Sequence, residues 1–246
     1  SIFSGSQEVK IASSRKKLTI FFSDIADFTA TTDDLESEEL TGLLNHYLTE
    51  MSKIALEHGA TIDKYIGDAV LAFFGDPETR GIKQDAMACV NMAIAMQRRM
   101  RDLQMEWRDR GMQKPFQLRI GINTGYCTVG NFGSEDRMEY TIIGSEVNLA
   151  SRLQSHAELG SILMSHETYS LVKEMVLAEE REPIRAKGIA KPVRNYKVLD
   201  RIDDMVEQGK AIREEQDGMK VLLDLQKLDK ASAVKALENI LSRLKN

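Results

Sequence analysis

Short apolar runs alternate along this chain with longer segments of helical periodicity. The run from Leu18 to Phe22 is typical of a buried strand, because four of its five residues are apolar and it is short. Apolar residues then recur at helical spacing over 35–58, and Gly59 follows as a helix-ending residue. A second long helix is predicted over 83–110.

A hairpin is predicted in the middle of the chain. Two strand-like runs, 61–66 and 69–74, are separated only by Gly67-Asp68, a pair that favours a tight turn. Further along, the pattern predicts strands over 116–122, 126–132 and 138–143 and a helix over 146–156. Because strands and helices alternate without regular βαβ units, we expect an α+β fold: a ferredoxin-like βαββαβ core sheet with flanking helices.

The two ends of the chain differ from this pattern. Residues 1–17 are polar and are interpreted as a linker from an upstream module, and 18–200 as the main domain. Over 201–246 strand signals are lacking and Ala, Leu, Lys and Glu dominate, which predicts a helical C-terminal extension. Its last helix is expected over 231–244 with Asp229 as the capping residue.

Composition narrows the function classes. The 33 basic and 38 acidic residues give a net charge of −5, which argues against a nucleic-acid binder with a basic face. The two cysteines and the absence of an apolar run long enough to span a bilayer favour a reducing, cytoplasmic setting. Because the chain begins at Ser1, we expect a piece of a longer protein, which could carry an upstream sensor domain and be membrane-attached.

Two carboxylates are the first candidates for chemistry. Asp24 follows the first apolar strand, and Asp68 lies in the hairpin turn. If the two strands are neighbours in one sheet, these side chains converge, as the hard oxygen ligands of Mg²⁺ do. Taken singly, each aspartate is more often a cap or a turn residue.

A second group of candidates is polar or basic. Asn148 and Arg152 are four residues apart and share one face of the predicted helix, where they could bind a ribose and a phosphate or simply face solvent. Lys64 and Lys187 are further cations, with edge-strand and turn residues as their ordinary interpretations. The chain lacks a P-loop, a strand-linked Gly-x-Gly-x-x-Gly and a His-Glu-x-x-His motif.

Four motifs, in order, resemble the catalytic domain of class III adenylate and guanylate cyclases, with similarity over about 17–200. They are Phe21-Phe22-Ser23-Asp24-Ile25 with Phe28-Thr29, Asp63-Lys64-Tyr65-Ile66-Gly67-Asp68-Ala69, Ile120-Gly121-Ile122-Asn123-Thr124-Gly125, and Ile143-Gly144-Ser145-Glu146-Val147-Asn148-Leu149-Ala150-Ser151-Arg152.

The resemblance implies a role for each candidate. Asp24, Asp68 and the Ile25 carbonyl match the ligands of two divalent metal ions, Mg²⁺ or Mn²⁺. The other matching positions are Lys64 and Thr141 for the adenine, Asn148 for the ribose, Arg152 for charge on the transferring phosphoryl group, and Lys187 for the terminal phosphates.

Thr141 is a departure from the commoner aspartate at its position. In having a threonine there, the chain resembles a bacterial and soluble animal subgroup that responds to bicarbonate. In guanylate cyclases, the positions that match Lys64 and Thr141 are instead occupied by Glu and Cys. A lysine donor and a threonine hydroxyl suit the ring acceptor and exocyclic amine of adenine, so ATP is the expected substrate.

The resemblance therefore implies an adenylate cyclase that makes cyclic AMP and pyrophosphate by in-line attack of the ribose 3′-hydroxyl on the α-phosphorus. It also implies a head-to-tail homodimer, because one domain supplies the aspartates and the other the base-reading and Asn/Arg residues. The alternatives are a guanylate or diguanylate cyclase and a cyclase-like regulatory or dimerisation module without activity.

Overall fold

The computed structural model describes residues 13–26, 37–112, 114–134, 137–185 and 191–245. Two compact units divide this chain. The first ends at Lys173 and resumes over Ala178–Val198, and the second comprises Glu174–Leu177 and the residues from Leu199 onward. The candidate residues named above lie in the sequence of the first unit.

The elements up to residue 201 alternate as the sequence predicts. In chain order they are β1 (Ser13–Ala26), α1 (Ser37–Glu57), β2 (Thr61–Ile66), β3 (Ala69–Phe74), α2 (Ile82–Asp109), β4 (Gln117–Ser134), β5 (Arg137–Ile143), α3 (Ser145–His156), β6 (Ile162–Ser165), α4 (His166–Val172), β7 (Val176–Ile184) and β8 (Val193–Arg201).

The predicted ferredoxin-like core is confirmed. Eight of the described strands form one sheet in the order β2-β3-β1-β4-β6-β8-β7, with β5 paired to β4. Strand β1 lies antiparallel between β3 and β4, and β2 and β3 form the predicted antiparallel hairpin. The order β2-β3-β1-β4 with helices α1 and α2 between strands is the βαββαβ arrangement.

Two strands are longer than the sequence pattern predicts. Strand β1 begins at Ser13 rather than Leu18, because its polar first residues pair with the middle of β4. Strand β4 runs without a break through Asn123-Thr124-Gly125, where two separate strands are predicted. Pairing with β1 along this stretch supplies hydrogen bonds that a propensity pattern does not reveal.

One face of the central strands packs against α3. Leu18 and Ile20 of β1 and Phe73 of β3 form a buried cluster with Ala150 of α3, and Phe22 packs against its edge. Because alternate residues of a strand share a face, Asp24 lies on the same side of β1 as Phe22. The sheet therefore presents Asp24 at the end of its apolar stripe.

Gly121 of β4 allows α3 to approach the sheet closely. A Cβ atom at this position would collide with the main-chain nitrogen of Gln154 and the carbonyl oxygen of Ala150. Neither is the movable end of a flexible side chain, so the helix would have to shift. A residue as small as alanine is therefore too large for this position.

Gly121→Ala is expected to lower the free energy of unfolding by about 3 kcal/mol. The matched control is Gly42→Ala at an exposed position of α1, where an added Cβ meets nothing within 4 Å. That change should raise the free energy of unfolding by up to about 1 kcal/mol, because alanine is the better helix former. Urea unfolding of both variants checks this, and equal stability of the two would contradict the packing described here.

The second unit contains strands that the sequence analysis does not predict. It holds α5 (Ile202–Glu207), the antiparallel hairpin of β9 (Ala211–Gln216) and β10 (Met219–Asp224), and α6 (Lys230–Leu244). The prediction of a purely helical extension is therefore wrong over 211–224. The final helix is confirmed, and the side chain of Asp229 caps it by accepting from the Ser232 amide.

None of the helices among the described residues is both long enough and apolar enough to cross a membrane.

Candidate active site

The structure brings Asp24 and Asp68 to the same end of the sheet. Asp24 is near the end of β1, and Asp68 lies in the turn between β2 and β3. The amide of Ile25 donates a 2.8 Å hydrogen bond to Oδ2 of Asp68, so the Asp68 carboxylate lies beside the residue that follows Asp24. The predicted convergence of the two aspartates is therefore a feature of the fold.

The charge of Asp24 acts on the Asp68 carboxylate. Burial raises the pKa of Asp68 above its ordinary value, and the negative charge of Asp24 raises it further. The hydrogen bond from Ile25 and the positive charge of Arg119 act in the opposite direction but do not cancel the shift. A bound cation would stabilise the ionised form of Asp68 and would therefore lower its pKa again.

Arg119 is a partner of Asp24 that the sequence analysis missed. It lies opposite Asp24 in the β1–β4 ladder, and its guanidinium donates to Oδ1 and Oδ2 of Asp24, both at 3.2 Å. The ion pair is about one-quarter exposed on each side. Since a carboxylate offers about four lone-pair positions, two bonds from Arg119 leave Asp24 able to accept further ligands.

The donor set fits a divalent ion that is shared with a phosphate-bearing ligand. Among the described residues, no group of three or more His, Cys, Asp or Glu side chains could hold a metal. Two carboxylates alone would leave most of an octahedral shell open, which suits Mg²⁺ with substrate phosphates and water as its remaining ligands. A metal ion bound by these two carboxylates would therefore need a substrate to complete its coordination shell.

The carboxylate site lies close to a buried side chain of α1. Tyr47 of α1 is fully buried, and burial raises the pKa of its phenol far above the ordinary value. The charges of Asp68 and Asp24 raise it further, which indicates that both carboxylates act on Tyr47 through a poorly solvated region.

Lys64 and Thr141 are joined through Asp63. The Thr141 hydroxyl donates a 2.6 Å hydrogen bond to Oδ2 of Asp63, and the Ile142 amide donates to the same oxygen at 3.3 Å. The Lys64 ammonium lies 3.5 Å from Oδ1 of Asp63 and 3.5 Å from a carboxylate oxygen of Glu139. A lysine and a threonine that are far apart in the sequence thus share one buried carboxylate.

A β-bulge explains why the sequence analysis missed Asp63. Strict alternation along β2 would place Asp63 and Lys64 on opposite faces. The pairing of β2 with β3 shifts register between Ile62 and Lys64, so Asp63 is an extra residue in the strand. Bulges commonly redirect a side chain near a functional site, and here Asp63 reaches across to β5.

Asn148 and Arg152 lie on α3 with exposed side chains. Within the part of the chain that the structure describes, neither side chain forms a hydrogen bond or ion pair with Asp24, Asp68, Lys64 or Thr141. Both are therefore available to a molecule outside this chain's own fold. Lys187, like Phe28 and Thr29 of the first motif, lies outside the described residues.

The start of α3 is fixed to the sheet by a side chain of β4. The amide group of Asn123 donates to the main-chain oxygen of Glu146 at 3.0 Å and to its Oε2 at 2.7 Å. Asn123 is almost completely buried, so these bonds hold the first turn of α3 in place. Two turns of rigid helix then carry Asn148 and Arg152.

The chain thus presents three groups of candidate side chains. One is acidic, at Asp24 and Asp68; one combines a cation and a hydroxyl, at Lys64 and Thr141; and one is exposed on α3. Chemically, the set can hold divalent cations, recognise a flat hydrogen-bonding ring and contact a charged transition state. A nucleoside triphosphate carries features that are complementary to all three groups.

Comparison with known proteins identifies one family. Residues 11–200 match the family model described as the adenylate and guanylate cyclase catalytic domain. The terminal-differentiation-specific adenylate cyclase of Dictyostelium discoideum is 33% identical over 212 residues, which is 83% of this chain and 10% of that protein. The chain spans no more than 28% of the next two curated relatives.

Two crystal structures are similar in both sequence and fold. The adenylyl cyclase CyaB from P. aeruginosa is 58% identical with a TM-score of 0.75, and the similarity covers 77% of this chain and 96% of that one. The guanylyl cyclase Cya2 is 34% identical with a TM-score of 0.72, covering 77% of this chain and 94% of that one. Solved relatives thus include cyclases named for either base.

Proposed function

Because this chain belongs to the class III adenylate and guanylate cyclase catalytic-domain family, we propose that it converts ATP to 3′,5′-cyclic AMP and pyrophosphate. The observation that carries the proposal is the hydrogen bond from Ile25 to Asp68, which places a second carboxylate beside Asp24 at the end of β1. Such a pair at an open sheet end suits a metal-dependent reaction of a triphosphate.

Asp24, Asp68 and the main-chain carbonyl of Ile25 would hold two divalent ions, Mg²⁺ or Mn²⁺. Bound there, these ions would supply positive charge to the triphosphate and acidify the ribose 3′-hydroxyl. The residues themselves position the ligand: Asp24 is restrained by Arg119, and Asp68 by the Ile25 amide. Both side chains are therefore preorganised before a nucleotide arrives.

The remaining residues would orient the nucleotide. Asn148 would hold the ribose, and Lys187 would contact the terminal phosphates. The 3′-hydroxyl would lose its proton to solvent, and its oxygen would attack the α-phosphorus in line. The bond from that phosphorus to the α–β bridging oxygen would break, and pyrophosphate would leave. Arg152 would neutralise charge that develops on the non-bridging oxygens, where a planar guanidinium can donate two hydrogen bonds.

Two copies of the chain would complete each site. Asn148 and Arg152 are exposed on α3, and among the described residues of the same chain they form no hydrogen bond or ion pair with either carboxylate. A head-to-tail homodimer would bring α3 of one copy to the aspartates of the other and create two equivalent sites. Exposure of the two groups in one chain is what such sharing requires.

ATP is the proposed substrate because Lys64 donates hydrogen bonds and Thr141 carries a hydroxyl. Lys64→Glu combined with Thr141→Cys is expected to lower kcat/KM for ATP by about 100-fold and to raise it for GTP, since mismatched polar groups in a buried base site discriminate strongly. Steady-state kinetics with both nucleotides check this. A double variant that still prefers ATP would contradict the assignment of the base site.

The test of the proposed function is a product analysis. The protein is incubated with ATP or GTP, with and without Mg²⁺ or Mn²⁺, and the products are separated by chromatography. Metal-dependent formation of cyclic AMP from ATP supports the proposal. Cyclic GMP or a cyclic dinucleotide as the main product would indicate a guanylate or diguanylate cyclase, and no product at all would indicate a regulatory module.

Further parts of the proposal concern regulation and location. Thr141 suggests stimulation by bicarbonate, which the same assay tests over a series of bicarbonate concentrations. We also propose that 18–200 is the catalytic domain, that 201–246 is an extension, and that the parent protein carries an upstream sensor. A cytoplasmic setting, which allows for membrane attachment of the parent protein, is supported by two buried free cysteines, Cys89 and Cys127.

A further inference from the structure

We propose that Asp63 determines the base preference of this enzyme by fixing the direction of the Thr141 hydroxyl. This inference rests on the proposed function, because it concerns the base that Lys64 and Thr141 would contact. Asp63 itself need not touch the nucleotide. It is a positioning residue that acts through Thr141.

The hydrogen bond between Thr141 and Asp63 has only one possible direction. Oδ2 of Asp63 accepts from the Ile142 amide and from the Thr141 hydroxyl. The amide can only donate, so this oxygen is held as an acceptor, and the hydroxyl must point its single proton at it. The Asp63 side chain is 1% exposed, so little water reaches it to compete for that proton.

The Thr141 hydroxyl has a single proton to donate. Once its proton is committed to Asp63, Thr141 has only lone pairs left for a ligand. Adenine offers an exocyclic amine, which can donate to such a lone pair. Guanine offers a carbonyl oxygen at the corresponding position, which would face lone pair against lone pair. A free hydroxyl could rotate to satisfy either base, whereas one tied to Asp63 accepts only from a donor.

Asp63 also lies beside Lys64. The other oxygen of Asp63 lies 3.5 Å from the Lys64 ammonium, so the same carboxylate restrains the second base-reading group. An ammonium can only donate, which suits the unprotonated ring nitrogen of adenine and not the N–H of guanine. Asp63 thus holds one donor and one acceptor side by side, in the pattern that adenine complements.

The test is the ratio of kcat/KM for ATP to kcat/KM for GTP. Asp63→Ala is expected to lower this ratio about tenfold or more, because the freed hydroxyl can then donate to guanine. Asp63→Asn is the conservative variant. Its oxygen must still face the Ile142 amide and so accept from Thr141, and the ratio should stay within about threefold of the wild-type value.

A double-mutant cycle asks whether Asp63 acts through Thr141. In a Thr141→Val background the hydroxyl is gone, so Asp63→Ala should change the ratio by less than about threefold, which is the part that can act through Lys64. Glu139→Gln serves as a second comparison, because it removes a negative charge at the same distance from Lys64 without touching Thr141. It is expected to leave the ratio within about threefold, in contrast to Asp63→Ala.

The outcomes are separable. An unchanged ratio in Asp63→Ala, an equal fall in Asp63→Asn, or the same fall in the Thr141→Val background would overturn the inference. If Asp63→Ala does not fold, Asp63→Ser, whose hydroxyl is too short to hold Thr141, replaces it with the same expectation. Equilibrium binding of 3′-deoxy-ATP and 3′-deoxy-GTP gives a second reading of base preference without turnover. Failure of the wild-type protein to make cyclic AMP would instead contradict the proposed function.

Discussion

Asp68→Asn should lower the rate of cyclic AMP formation by about three orders of magnitude, which corresponds to about 4 kcal/mol of transition-state stabilisation. Asparagine has nearly the same shape as aspartate but lacks the negative charge that attracts a divalent ion. Its side-chain oxygen can still accept from the Ile25 amide, so the turn between β2 and β3 should keep its conformation. The loss should therefore come from chemistry and not from misfolding.

The same variant should be at least as stable as the wild-type protein. Burial and the charge of Asp24 raise the pKa of Asp68, so the fold favours the protonated carboxyl over the ionised one. Stability from this group is then fully present at acid pH and declines as the pH rises through and above the ordinary value of 3.8. The amide that replaces the carboxyl does not titrate, so the stability advantage of the variant should grow between acid and neutral pH.

Turnover assays and thermal unfolding at several pH values, the latter without added metal, check both halves of this prediction. Asp109→Asn, at an exposed position near the end of α2, controls for loss of a charge elsewhere and should leave turnover unchanged. Near-normal turnover of Asp68→Asn would contradict the metal assignment. A large fall in its unfolding temperature would instead indicate a structural role for the carboxylate.

Arg152→Ala is expected to reduce turnover by about 1,000-fold with little change in stability. Arginine side chains that stabilise charge on a transferring phosphoryl group have effects of about that size. The side chain is exposed on α3 and has no described partner to lose, so the fold should not depend on it. Thermal unfolding and steady-state kinetics with ATP measure the two effects separately.

If the active sites are built from two chains, a further outcome of Arg152→Ala can be tested by mixing variants. If chains carrying Arg152→Ala and chains carrying Asp68→Asn assort at random, half of the dimers are mixed, and one of the two sites in each is intact. Activity should then recover to roughly one-quarter of the wild-type level. A mixture no more active than its parents would contradict sites built from two chains.

Much of the fold could be predicted from local sequence. Strands β2 and β3 and their turn begin and end where the apolar runs and Gly67-Asp68 place them, because a tight turn fixes the register of a hairpin. The apolar stripes of α1 and α2 are long enough to set their limits to within two residues. These elements depend on residues close together in the chain.

The features that were missed depend on distant pairings. Arg119 meets Asp24 only because β1 and β4 are paired in one particular register, 95 residues apart. Asp63 reaches Thr141 only because of a bulge in β2. The hairpin of β9 and β10 has five exposed residues in β9, so its strands lack the alternation of buried and exposed positions that would predict them.

The most direct test of the account is a crystal structure of the protein with Mn²⁺ and 3′-deoxy-ATP, a nucleotide without the attacking hydroxyl. Anomalous scattering should locate manganese against Asp24 and Asp68 of one chain, with the adenine against Lys64 and Thr141 of a second chain. Manganese bound away from these two carboxylates, or a nucleotide held entirely within one chain, would contradict it.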